Sequence, residues 1–136
     1  MRLRAIDVQN MAALRQRLTS ATAMDELHAL CRGYSEALSS QHFVCALRVP
    51  THFADARLIM IDGYPPGWVK HYFEQHHFDA DAVMAYCAQH AVPMCLSDLS
   101  LEPGSQAERM MQEAAAFGLR DGVTMPSHSP QGEWVF

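Results

Sequence analysis

The sequence predicts an α+β fold, a helix–sheet–helix sandwich around an antiparallel sheet. Three observations predict it. Apolar residues recur at helical spacing from Leu27 to Leu38 and again from Ser105 to Phe117. They alternate with a period of two from Phe43 to Val49, and a second strand-like run follows from Arg57 to Asp62. The strand candidates are joined by short polar or Gly/Pro-containing stretches. Such connections suit hairpins, and hairpins give an antiparallel sheet with helices packed on it.

The chain has 136 residues, about one domain, so residues 1–136 are expected to form a single unit, cut short within its last strand. Its hydrophobic fraction of 49% against 18% charged residues indicates a globular protein with a real core. The net charge of −5 argues against a phosphate-backbone binder, which needs clustered Lys and Arg. No apolar run reaches the length of a membrane span, and Met1–Asp7 has no signal-peptide apolar stretch. The expected location is therefore the cytoplasm, with Cys31, Cys45, Cys87 and Cys95 as free thiols. Nine Met residues supply flexible, polarisable side chains that can mould around a small molecule.

A first helix is expected from Val8 to Leu18. The second carries Leu27, Leu30, Cys31, Tyr34 and Leu38 on one stripe, and Thr22 with Asp25 reads as its capping box. In the next segment Phe43, Cys45, Leu47 and Val49 alternate with Val44, Ala46 and Arg48 up to Pro50. A polar stretch through Asp55 leads to the Arg57–Asp62 strand, which Gly63-Tyr64-Pro65-Pro66 stops. Pro66 suits the first turn of a helix bearing Trp68, Tyr72 and Phe73, because its missing N–H is not needed there.

That helix fades near His76. Asp79 or Asp81 would cap another running to Gln89. Pro93–Leu96 reads as extended. Ser105–Phe117 places Ala107, Met110, Met111, Ala114 and Phe117 on one stripe, with Gly118 as its C-terminal stop. Gly122–His128 reads as a strand, Ser129–Gly132 as a turn and Glu133–Phe136 as the start of a final strand.

Taken alone, the side chains with chemistry are ambiguous. Trp68 and Tyr72 lie four apart and fit a core stripe. Asp81 fits a helix N-cap, and Tyr64 before Pro65 fits turn packing. His71, His76 and His77 cluster near Glu74 without a zinc spacing, and Cys87, His90, Cys95 and Asp98 form a looser set, so no metal site is expected. The eight His are expected on solvated faces. There is no phosphate-cradling glycine loop and no nucleophile elbow, so neither a cofactor nor an enzyme is expected.

Two segments change the weighting. Gly63-Tyr64-Pro65-Pro66-Gly67-Trp68-Val69-Lys70-His71-Tyr72, continuing through Phe78 to Asp81-Ala82-Val83, resembles the Y-P-x-x-W-x-x-x-Y…D-P-V signature of LuxR-type autoinducer-binding domains. Glu113-Ala114-Ala115-Ala116-Phe117-Gly118-Leu119-Arg120-Asp121-Gly122-Val123-Thr124-Met125-Pro126-Ser127-His128 resembles their E-A-x-x-x-G-L-x-x-G-x-T-x-P-x-H stretch. Trp68, Tyr72, Asp81 and Gly122 stand at signature positions. Ala82 stands where the family usually has Pro, and Leu96 where it usually has a Trp that walls the pocket.

The resemblance implies a PAS/GAF-like domain that binds an acyl-homoserine lactone in quorum-sensing transcription regulation. Such a ligand offers a lactone carbonyl, an amide N–H, an amide carbonyl and an apolar tail. The Trp68 indole N–H, a donor only, suits the lactone carbonyl. Ionised Asp81, an acceptor only, suits the amide N–H. The Tyr64 hydroxyl suits the amide carbonyl, and the Tyr72 ring would cover the head group. Val44, Ala46, Leu58, Met60, Met84, Leu96, Leu119 and Thr124 are the candidates to line the tail cavity. Family members continue past the strand at Glu133 into further helix and a helix-turn-helix. The resemblance therefore also implies a chain that does not bind DNA alone. It would pair with itself or with a full-length LuxR-type regulator, in the second case as an inhibitor.

Overall fold

The computed structural model describes residues 8–50 and 56–136. The polar stretch expected through Asp55 lies largely outside the described residues. The chain forms two compact units, Met1–Cys45 with Met60–Gly63, and Ala46–Ile59 with Tyr64–Phe136.

In the first unit, α1 (Val8–Ser20) packs on α2 (Met24–Ala37). Leu14 and Leu30 are buried between polar faces, and a Cβ on Gly33 would stand 3.1 Å from Leu14 Cδ2, so the two helices approach closely there. The Thr22–Asp25 capping box does not form. Ala23 is the N-cap, and the Thr22 N–H instead donates to Glu26 Oε2 at 3.3 Å. Glu26 lies one turn further on, where its longer side chain reaches back to the open end of the helix.

Val44 and Cys45 of β1 (Val44–Pro50) and Met60 to Asp62 of β2 (Ala56–Asp62) belong to this unit. His28 Nε2 bonds the Asp62 carbonyl at 2.9 Å, and the Gly63 N–H donates to the Phe43 carbonyl at 2.8 Å. A Cβ on Gly63 would fall 2.2 Å from Phe43 Cε1. Gly63→Ala must push the Phe43 ring away, so it is expected to cost about 1–3 kcal/mol as an overpacked site. Urea unfolding measures this; an unchanged midpoint would show that the ring yields freely.

The strand order is β2–β1–β6–β5, with β5 spanning Ser127–His128 and β6 spanning Trp134–Val135 in the second unit. Antiparallel registers are Leu47↔Val135 and Arg48↔Trp134 on one side of β6, and Ser127↔Val135 and His128↔Trp134 on the other. A separate antiparallel pair joins β3 (Met94–Cys95) to β4 (Val123–Thr124). The single strand expected from Gly122 to His128 is therefore two, in different sheets. Buried Pro126 sits between them and has no N–H for a ladder, so the chain changes partners at that point. The Ser129–Gly132 turn forms as expected, with Ser129 N–H to Glu133 O at 2.8 Å.

Helices α3 (Trp68–Glu74), α4 (Ala82–Gln89) and α5 (Gln106–Ala116) complete this unit. Pro66 does not open α3. Pro66 and Gly67 make a turn that the Trp68 N–H closes on the Pro65 carbonyl at 3.2 Å, Gly67 takes a left-handed conformation (φ 85°) as N-cap, and Trp68 is the first helical residue. Ser105 caps α5, its Oγ accepting from the Glu108 N–H at 3.1 Å. Met110 and Ala114 on the expected stripe are buried, and Gly118 ends the helix at φ 94°.

Candidate functional site

Asp81 is the residue most firmly placed. It is the N-cap of α4, with Oδ1 accepting from the Val83 and Met84 N–H groups at 2.8 and 3.1 Å. Its other oxygen, Oδ2, accepts from the Tyr72 hydroxyl at 2.7 Å. These bonds fix the carboxylate, and a carboxylate with about four acceptor positions keeps one to spare. Ala82 takes the first helical position, where proline would be well suited. The cap is complete without it. The Tyr72 hydroxyl is held far above the ordinary tyrosine range, first by burial and then by the Asp81 charge. It therefore stays protonated and keeps donating.

Asp81 and Met84 line a cleft of about 490 Å³ with Arg48, Phe78, Asp79 and Trp134. The cleft is shallow and widely open to solvent. Arg48 and Trp134 face each other across the β1–β6 pairing. Among the described residues the Arg48 guanidinium has no carboxylate partner.

Next to the cleft lies an aromatic cluster. Trp68 is buried with Met110 and Ala114, and Tyr64, Tyr72, Met111, Phe117 and Leu119 pack against these three. The Trp68 ring centroid is 5.3 Å from Phe117 and 6.1 Å from Tyr72. Tyr72 links the two regions, since its hydroxyl also reaches Met84 Sδ at 3.5 Å. Among the described residues the Trp68 indole N–H has no acceptor.

The remaining expected tail residues are more scattered. Ala46 is almost wholly buried. Thr124 is buried and its Oγ1 lies 3.2 Å from Cys87 Sγ. Leu96 is half-buried and packs on the Gly122 backbone, where a Cβ would stand 3.1 Å from its Cδ1. Leu58 is 39% exposed. Val44 and Met60 belong to the other unit.

The histidines depart from expectation. His77 is not solvated but 2% exposed, stacked on Trp68 at 6.1 Å. Its Nε2 lies 2.6 Å from Glu113 Oε2, and His71 Nε2 lies 2.7 Å from the same oxygen. Glu74, three residues from both His71 and His77, pairs instead with Lys70 at the surface. Both imidazole bonds, His71 first, pull Glu113 below the ordinary carboxylate range. Nothing in local spacing joins Glu113 to His71; only its place in the second signature segment singled it out. Arg48 and Trp134 are likewise cleft residues that periodicity counted as strand positions only.

Comparison with known proteins gives a consistent result. The family model for the autoinducer binding domain matches residues 23–135. The chain is 26% identical over 123 residues to the transcriptional activator protein AhyR of Aeromonas hydrophila, covering 87% of this chain and 46% of that protein. It is 36% identical over 80 residues to the transcriptional activator protein RaiR of Rhizobium etli, covering 58% of this chain and 33% of that protein. The chain thus spans less than half the length of these relatives. Among solved structures, it resembles the N-acylhomoserine lactone dependent LuxR family factor CepR2 of Burkholderia cenocepacia. The TM-score is 0.79 at 19% identity, with 96% of this chain and 76% of that chain covered. It also resembles SdiA in complex with octanoyl-rac-glycerol, with a TM-score of 0.76 at 19% identity, covering 100% of this chain and 54% of that one. These structural likenesses support the α+β fold.

Proposed function

Because this chain belongs to the family of autoinducer-binding domains, we propose that it senses an acyl-homoserine lactone, or a close acyl relative, in quorum-sensing regulation. The observation that carries this reading is the Asp81 carboxylate. Three donors hold it still, and it lines an open cleft. A fixed acceptor with one position free suits an amide N–H, and the bond is charge-assisted. The Trp68 indole N–H, which has no acceptor among the described residues, is assigned to the lactone carbonyl and Tyr64 to the amide carbonyl. Tyr72 covers the head group while its hydroxyl orients Asp81. The tail runs against Met84 and the apolar cleft wall, where each buried methylene adds about 0.8 kcal/mol. Ala46, Thr124, Leu119 and Leu96, all in the same unit as Asp81, are assigned to its deeper course.

Binding is expected to stabilise the fold. A lactone at 100 times its dissociation constant adds about 2.7 kcal/mol. Thermal unfolding with a series of acyl-homoserine lactones measures the gain. Mass spectrometry of an organic extract of the purified chain identifies what it carries. A melting temperature that no lactone moves would remove the sensor reading.

A further inference from the structure

We propose that His71, His77 and Glu113 form a binding site for a divalent transition-metal ion, zinc before the others. The site is independent of the lactone reading and uses none of the head-group residues. His71 comes from the last turn of α3, His77 from the short 3-10 turn His77–Ala80, and Glu113 from α5. Two imidazoles and a carboxylate are a donor set that zinc and its neighbours accept.

The geometry is close to what an ion needs. The three candidate ligand atoms all lie within 4.8 Å of one another. Both imidazole Nε2 atoms already point at one carboxylate oxygen, at 2.6 and 2.7 Å. A tetrahedral ion with bonds of roughly 2.0–2.1 Å holds its ligands roughly 3.3 Å apart. Each His–Glu contact must therefore open by well under 1 Å, roughly the difference of those two spacings.

The backbone is shaped for this convergence. His76 takes a left-handed conformation (φ 54°), uncommon for a residue with a Cβ, and the turn it makes sends His77 inward. The side chains of His71 and Glu113 are each 30% exposed, which leaves an entry path and room for water as a further ligand.

His77 also shows what limits the affinity. Its Nδ1 is buried with no hydrogen-bond partner among the described residues. Coordination through Nε2 leaves the ring N–H on Nδ1. Most metal-bound histidines give that second N–H to an acceptor. Among the described residues none accepts from it, so the expected affinity is weaker than that of a closed structural zinc site, on the order of micromolar.

Trp68 supplies a reporter, since its ring lies 6.1 Å from His77 and 5.9 Å from His71. The test is calorimetric titration of the tag-free, chelator-treated chain with zinc chloride. One equivalent should bind in the micromolar range and raise the melting temperature, and EDTA should reverse both. His71→Ala and Glu113→Gln should each weaken binding about 10-fold or more, on the scale of lost metal-site partners. Cys95→Ser, which removes the exposed thiol, should bind as the unaltered chain does. Copper(II) should quench Trp68 fluorescence in the unaltered chain and much less in Glu113→Gln. Should a variant fail to fold, the imidazole proton signals of His71 and His77 in the unaltered chain must still shift on adding zinc. Zinc affinity unchanged in both variants, unshifted signals for these two rings, or no saturable binding in the micromolar range would each overturn the site.

Discussion

Trp68→Ala is expected to remove about 3–5 kcal/mol of stability, the cost of deleting a large buried aromatic ring. Folded domains are stable by about 5–15 kcal/mol in all, so the loss is a large share of the total. The reason is the number of partners that one ring serves. Trp68 is 5% exposed, forms the core cluster with Met110 and Ala114, and has Phe117, Tyr72, His71 and His77 as ring neighbours. Truncation empties the space between α3 and α5, and neither helix can close it alone, because both are tied by other contacts. Urea unfolding followed by circular dichroism reads the loss. A change below about 1 kcal/mol would mean that the site collapses without a cavity, contrary to the packing described.

Trp68→Phe separates packing from recognition. It keeps most of the apolar ring and deletes the one N–H donor. Stability should fall far less than in Trp68→Ala, while lactone affinity should still fall about fivefold, the worth of one neutral hydrogen bond of about 1 kcal/mol. An affinity loss that merely tracks stability would assign Trp68 to the core alone.

The history of this residue shows what the chain reveals before it folds. Periodicity placed α5 and its buried stripe closely, because Met110 and Ala114 face one way on a helix whose signal spans several turns. The alternation from Phe43 to Val49 placed β1 for the same reason. Failures occurred where one residue decided the outcome. Pro126 ended one strand pairing and began another, and Glu26 rather than Asp25 closed the start of α2. Neither event leaves a periodic trace. The site was legible only in part. Asp81 was readable both as a cap and as a ligand contact, and the cap is what the structure describes. His77 was assigned to solvent because a histidine beside polar neighbours usually is there. Its burial depends on a left-handed residue and on a carboxylate 36 positions away, which local sequence does not encode.

The two readings of Asp81 predict different outcomes for Asp81→Asn. Asparagine caps helices about as well as aspartate, so α4 should keep its N-terminus and the melting temperature of the ligand-free chain should move little. Binding should not be spared. The amide side chain carries no charge, and it can turn an N–H toward the ligand N–H, leaving two donors opposed. Hydrogen bonds to charged groups are worth about 1.5–3 kcal/mol, so the lactone affinity should drop roughly 10- to 100-fold. Tyr64→Phe removes a neutral bond worth about 1 kcal/mol and should cost only about fivefold. Tyr72→Phe bears on the same point. It frees Asp81 Oδ2 from its 2.7 Å bond and loosens the carboxylate without removing its charge. It should therefore fall between the other two. Titrations of the three variants against one lactone, each paired with a melting curve, establish the order. Equal losses for Asp81→Asn and Tyr64→Phe would mean that Asp81 serves α4 alone and that the head group binds elsewhere.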